Sequence, residues 1–202
     1  MRTVGAVLFP GFELLDVFGP LEAFGVLRAE FALLTLAERA GPVASAQGPE
    51  AVAARSFADA PPLDLLLVPG GIGTRTQVEN GALTGFLAAR ARAAEVTLSV
   101  CTGAALLARA GVLDGRRATT NKRAFAWVVA QGPRVTWVPV ARWVDAGAVV
   151  TSSGVSAGID MTLAVIARLV GRGAAEKAAR RMEYRWASDA DDDPFATLYG
   201  LG

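Results

Sequence analysis

The feature that most restricts the fold is an alternation. Short apolar runs end in small or turn-forming residues, and most are followed by a stretch with helical spacing. Residues 3–9 form the first apolar run and 13–27 the first helical stretch; 31–37 and 51–57 read as further strands. Residues 65–68 are a short strand stopped by Pro69-Gly70-Gly71, and a helix follows over 83–93. The next buried strand spans 96–100, and residues 102–110 read as a helix halted by Gly111. A strand at 117–119, a helix at 123–130, strands at 135–138, 142–145 and 149–152, and helices at 156–169 and 174–186 complete the pattern. Such alternation specifies βαβ units, hence an α/β domain built on a mostly parallel sheet.

With 202 residues, 52% of them hydrophobic, the chain can bury one such core and is short for two. No repeat or low-complexity linker divides it, so one domain over residues 1–202 is expected. The acidic run Asp189, Asp191, Asp192, Asp193 before Pro194 reads as part of a solvated C-terminal extension over about 188–202.

Twenty basic residues against nineteen acidic ones leave a net charge of +1, which provides no general attraction to nucleic acid or anionic membrane. No apolar stretch reaches the ~20 residues of a transmembrane helix, and the N-terminus lacks a signal-type cleavage pattern. A cytoplasmic protein without membrane or nucleic-acid partners is expected. One cysteine forbids an internal disulfide, and the absence of histidine removes the usual zinc and iron ligand sets, so no metal or cofactor is expected. Acid–base work near neutral pH then falls to a carboxylate, a thiolate, Tyr or water.

Cys101 stands between a strand and a helix, within Ser99-Val100-Cys101-Thr102-Gly103. A thiol there meets unpaired amides and the positive end of the helix dipole, which favour the thiolate and lower its pKa. A lone cysteine is also commonly a small buried apolar residue, and pattern alone leaves both readings open. Gly70 and Gly71 follow another strand in a turn able to present amides to an anion, although two glycines after a strand are often only a tight turn. On the first helical stretch, Asp16 falls off the apolar stripe of Leu14, Val17, Phe18, Leu21 and Phe24; spacing does not choose between it, Glu13 and Glu22. The four tryptophans read as packing residues.

Four stretches carry a resemblance: residues 9–20, Val68-Pro69-Gly70-Gly71, Ser99-Val100-Cys101-Thr102-Gly103 and residues 151–160. Together they resemble the ThiJ/PfpI superfamily over nearly the whole chain. The resemblance implies a flavodoxin-like three-layer sandwich of the class I glutamine amidotransferase type, a nucleophile elbow at Cys101 and a homodimer. Within the superfamily the likeness is to the isonitrile hydratases, which implies an active site of Asp16, Cys101 and Thr102. The implied reaction is addition of water to a small-molecule isonitrile through a cysteine thioimidate, giving an N-substituted formamide. Gly71 and Thr102 amides, with Gly70 in the same turn, are then expected to hold developing negative charge. Peptidase-like members carry His after the elbow cysteine where this chain has Thr102, and related chains often have His at the position of Asn121, so peptide cleavage is not expected. Regulators of the superfamily append a helix-turn-helix region, whereas this chain ends at Gly202. A cysteine-based oxidation sensor and a glyoxalase or deglycase acting on α-oxo-aldehydes are the competing readings.

Overall fold

A computed structural model describes residues 1–202. The strands are β1 (Arg2–Val7), β2 (Phe31–Ala37), β3 (Gly41–Ala44), β4 (Glu50–Ala53), β5 (Arg55–Ser56), β6 (Leu65–Val68), β7 (Val96–Ser99), β8 (Arg117–Ala118), β9 (Thr136–Trp137), β10 (Trp143–Asp145) and β11 (Val149–Ser152). The helices are α1 (Leu14–Gly25), α2 (Thr74–Gln77), α3 (Gly81–Ala93), α4 (Gly103–Arg109), α5 (Phe125–Gln131), α6 (Ala157–Val170), α7 (Arg172–Arg181) and α8 (Pro194–Leu198).

Seven strands pair in the order β10-β11-β7-β6-β1-β2-β5, all parallel except β10 against β11. Every side chain of β6 and β7 is buried, which explains why these runs lack polar alternation: a parallel sheet is covered on both faces. The helices divide accordingly into two packed groups, α1 with α6 and α7, and α4 with α2, α3 and α5. This is the flavodoxin-like sandwich expected from the sequence.

From β1 the chain moves to β2 and β5 in one direction, and from β6 to β7 and β11 in the other. The reversal between β1 and β6 opens a crevice beyond the carboxyl ends of the strands, the usual place for a ligand in an open α/β sheet. Helix α4 starts directly behind β7. A Cβ at Gly103 would run into the carbonyl oxygen of Val68, so only glycine lets the helix begin so close to the sheet.

Three sequence expectations need correction. The strand expected over 51–57 is two pieces: β4 pairs antiparallel with β3, and β5 joins the outer edge of β2. Thr35 organises the crossing, donating its hydroxyl to Val52 O (2.8 Å) and accepting from Ala54 N (3.2 Å). The acidic run, expected in solvent, keeps Asp189, Asp191 and Asp192 exposed but buries Asp193 where the chain folds back on the domain. Ala190 O accepts from the amides of Arg142 and Trp143 (2.7 and 3.3 Å). There Asp193 caps α8 through Phe195 N (3.0 Å) and lies 3.8 Å from the buried ammonium of Lys122. A buried cation 71 positions away outweighs the solvation of that carboxylate. Further back, α7 ends at Arg181 rather than near 186, because Tyr184, Trp186 and Ala187 turn away to bond Asp160, which also pairs with Arg142 at 2.6 Å.

Candidate active site

Cys101 occupies the turn between β7 and α4 with φ 56°, a left-handed conformation that is strained for a residue with a Cβ. The strain is held from both sides: its amide donates to Ser153 O (3.1 Å) and its carbonyl accepts from Thr120 Oγ1 (2.8 Å). The turn thus presents the thiol at the crevice as a nucleophile elbow does.

Asp16 reaches the same point from the third residue of α1 and is fully buried. Its Oδ2 accepts from the Gly70 amide at 2.8 Å, while Oδ1 is buried with no partner; the Cys101 thiol lies within hydrogen-bonding reach of the carboxyl. Burial pushes the Asp16 carboxyl up from 3.8 to about 8, opposed by the Gly70 amide, assisted by the charge of Glu13 and opposed again by the thiol. Glu13 and Glu22 do not share this environment: Glu13 bonds Gln47 at the cleft surface (2.6 Å) and Glu22 is exposed.

The thiol itself departs from expectation. Helix-end placement was expected to lower its pKa, but Cys101 is only 6% exposed, and burial followed by the charge of Asp16 pushes it up. Three donors oppose that shift: the amides of Thr102 and Val155 and the side chain of Asn121. Asn121 is oriented for this, since its Oδ1 accepts from Ala124 N (2.9 Å) and leaves Nδ2 free. Gly154 makes room for it, as a Cβ there would collide with that Nδ2. Val155 adopts φ 44°, an outlier for a β-branched residue, as it turns its amide to the sulfur.

The glycine amides expected to face an anion already have partners. The Gly70 amide is engaged by Asp16, and the Gly71 amide by Thr102 Oγ1 at 3.0 Å. Thr102 Oγ1 also lies 3.1 Å from Thr74 Oγ1, whose own hydrogen goes to Gly71 O (2.7 Å). Thr102 offers the site its amide, with its hydroxyl tied to the Gly71 turn. Val155 and Asn121, with the Thr102 amide, supply the donors that face the sulfur. Above the sulfur opens a cleft of about 330 Å³ whose rim includes Glu13, Arg75 and Arg123. No group of three or more Cys, Asp or Glu side chains gathers as a metal site would need.

The DJ-1/PfpI family model matches residues 2–168. The chain belongs to the DJ-1/PfpI family. It is 34% identical to an isonitrile hydratase from Pseudomonas putida over 189 residues, 93% of this chain and 81% of that one. A ThiJ/PfpI family protein from Pseudomonas syringae has the same fold, with a TM-score of 0.81 and 31% identity over 96% of this chain and 76% of its own. The transcriptional regulator GbdR of Pseudomonas aeruginosa is 38% identical over 114 residues, which cover 56% of this chain but 30% of the regulator. The DJ-1/PfpI fold thus occurs in relatives with both enzymatic and regulatory names, and residues of the site must decide between roles. No helix of the chain is long and apolar enough to cross a membrane.

Proposed function

We propose that this DJ-1/PfpI protein is an enzyme that hydrates an isonitrile to an N-substituted formamide, with Cys101 as nucleophile and Asp16 as proton carrier. The observation that carries the proposal is the buried Asp16 carboxyl, raised to about 8, within hydrogen-bonding reach of the thiol and beneath an open cleft. Such a carboxyl exchanges protons near neutral pH, a task that falls to it at this cleft because the chain has no histidine. The likeness to an isonitrile hydratase supports the same reading.

In the first step the sulfur bonds to the terminal isonitrile carbon while the thiol proton passes through Asp16 to that carbon. The carbon–nitrogen triple bond becomes a double bond, giving the thioimidate R–N=CH–S–Cys101. Water then adds to the carbon, Asp16 taking a water proton and returning one to nitrogen. The C–S bond breaks with its electron pair on sulfur, the added hydroxyl gives up its proton, and R–NH–CHO leaves as the thiol re-forms. The amides of Thr102 and Val155 and the Asn121 side chain stabilise sulfur's charge whenever it develops.

A redox sensor would use the same buried thiol; selective oxidation of Cys101 by mild peroxide with no turnover of isonitriles would favour that reading. The wild-type chain is expected to convert cyclohexyl isocyanide to the formamide and to leave methylglyoxal unchanged. Cys101→Ala abolishes the activity, and Asp16→Ala lowers it by about 10²–10⁴-fold. Full activity in either variant, followed by chromatography of the formamide, overturns the proposal. The family resemblance extends the proposal to a homodimer.

A further inference from the structure

Two guanidinium groups stand at the mouth of the Cys101 cleft with no anion to neutralise them. Arg75 and Arg123 line the cleft, and neither appears in any ion pair of the molecule or donates a side-chain hydrogen bond. Unpaired arginines also occur on the outer surface, where water satisfies them. Location sets this pair apart, and Arg75 is also held in place.

Arg75 belongs to α2, whose first residue, Thr74, is locked into the Gly71–Thr102 hydroxyl network. Its guanidinium lies over the Trp127 ring of α5 at 3.4 Å from the centroid, so the cation is held in place by an aromatic face rather than by an acid. A side chain stacked in this way keeps its planar edge of N–H donors for a ligand. Arg123 comes from the segment that also carries Asn121 and Lys122, anchored by Thr120 to the Cys101 carbonyl. The two arginines therefore reach the cleft from separate, fixed elements. Glu13 is the acid on the rim, and Gln47 already donates to it at 2.6 Å. Two positive charges against one leave the rim cationic, with Asp16 and Cys101 protonated beneath it.

We propose that the substrate carries a carboxylate, bound by Arg75 and Arg123 while the electrophilic carbon meets Cys101. Together with the hydratase reading, on which it rests, this names the substrate class as a small isocyano carboxylate and the product as an N-formyl amino acid. The volume of about 330 Å³ admits a molecule of that size. The guanidinium edge matches both carboxylate oxygens, and charge-assisted pairing selects the acid over its ester without touching the reacting carbon.

The test compares isocyanoacetate with methyl isocyanoacetate. In wild type the ratio of kcat/KM, acid over ester, is expected to be about tenfold or more, the size of one charge-assisted hydrogen bond. Arg75→Gln and Arg123→Gln each lower that ratio, mainly through KM of the acid, and Arg75→Lys restores part of it. A ratio near one in wild type, or one unmoved by both Gln variants, overturns the inference and leaves hydration standing. Alkylation of Cys101 separates the two ideas. Iodoacetate is expected to react with saturation, and faster relative to iodoacetamide than it does with free cysteine, an advantage that both Gln variants reduce. If neither isonitrile turns over, hydration fails, and this alkylation ratio still decides the carboxylate site: a ratio equal to that of free cysteine overturns it.

Discussion

At the residue scale the site depends on one carboxyl that the fold holds against its solvation preference. Asp16 titrates at about 8 in the folded chain against 3.8 ordinarily, so the folded state keeps a proton that the unfolded chain releases as pH rises from about 4. Folding stability therefore falls with rising pH across about 4 to 8 and levels off above that window. Asp16→Asn keeps an acceptor for the Gly70 amide and removes the titration. The variant is expected to melt above wild type at pH 8, by a margin that shrinks toward pH 4, while formamide production is lost. Calorimetry at the two pH values checks this; equal margins at both would show that Asp16 carries no buried proton. Periodicity did not reveal this residue, because on α1 it lies off the apolar stripe. Its burial is created by the Gly70 turn closing over it from β6, a contact 54 residues away in sequence.

At the scale of elements, local signals were legible and distant ones were not. The β7–α4 turn was readable because a buried run, a small-residue turn and a helix lie side by side in the chain, as was the Pro69-Gly70-Gly71 stop after β6. Val155 left no such mark: its contribution is an amide, set by a left-handed φ in a β-branched residue that composition does not flag. Asn121 acts from a segment between β8 and α5 whose position depends on Lys122, bonded to Thr119 Oγ1 (2.8 Å) and Ala141 O (2.5 Å) and facing Asp193. Burial pulls the Lys122 ammonium down to about 8, opposed by Asp193. Below that pH the folded chain holds a charged Lys122 that Asp193 compensates; above it, the lysine is neutral and the pair contributes little. Asp193→Ala is therefore expected to cost about 3–5 kcal/mol at pH 6, the range for breaking a buried pair, and clearly less at pH 9. Denaturant titrations at both pH values measure the difference; loss of the α8 cap contributes equally to each.

For the whole molecule, the order β10-β11-β7-β6-β1-β2-β5 brings Asp16, Gly70 and Cys101 from three adjacent strands to one crevice, and the C-terminal segment closes the far edge of the same sheet. Strand β10 has a free edge that Ala190 O bridges at Arg142 and Trp143, while Asp160 gathers Arg142, Tyr184, Trp186 and Ala187 at the first turn of α6. That helix follows the Val155 turn, and Ser153 just before it donates to Arg142 O at 2.8 Å. Arg142 thus holds the C-terminal segment through its amide and the backbone two residues before Val155 through its carbonyl. Deleting residues 188–202 removes the Ala190 bridge and the partner of Lys122 together. At about 2–4 °C per kcal/mol for a chain of this size, a loss beginning with a buried ion pair lowers Tm by roughly 10 °C or more. Because Lys122 holds the segment that carries Arg123 into the cleft, Cys101 in the truncated chain should also lose part of its preference for iodoacetate. A truncated chain that melts within about 2 °C of the full one would return these residues to solvent, as the acidic run alone suggested.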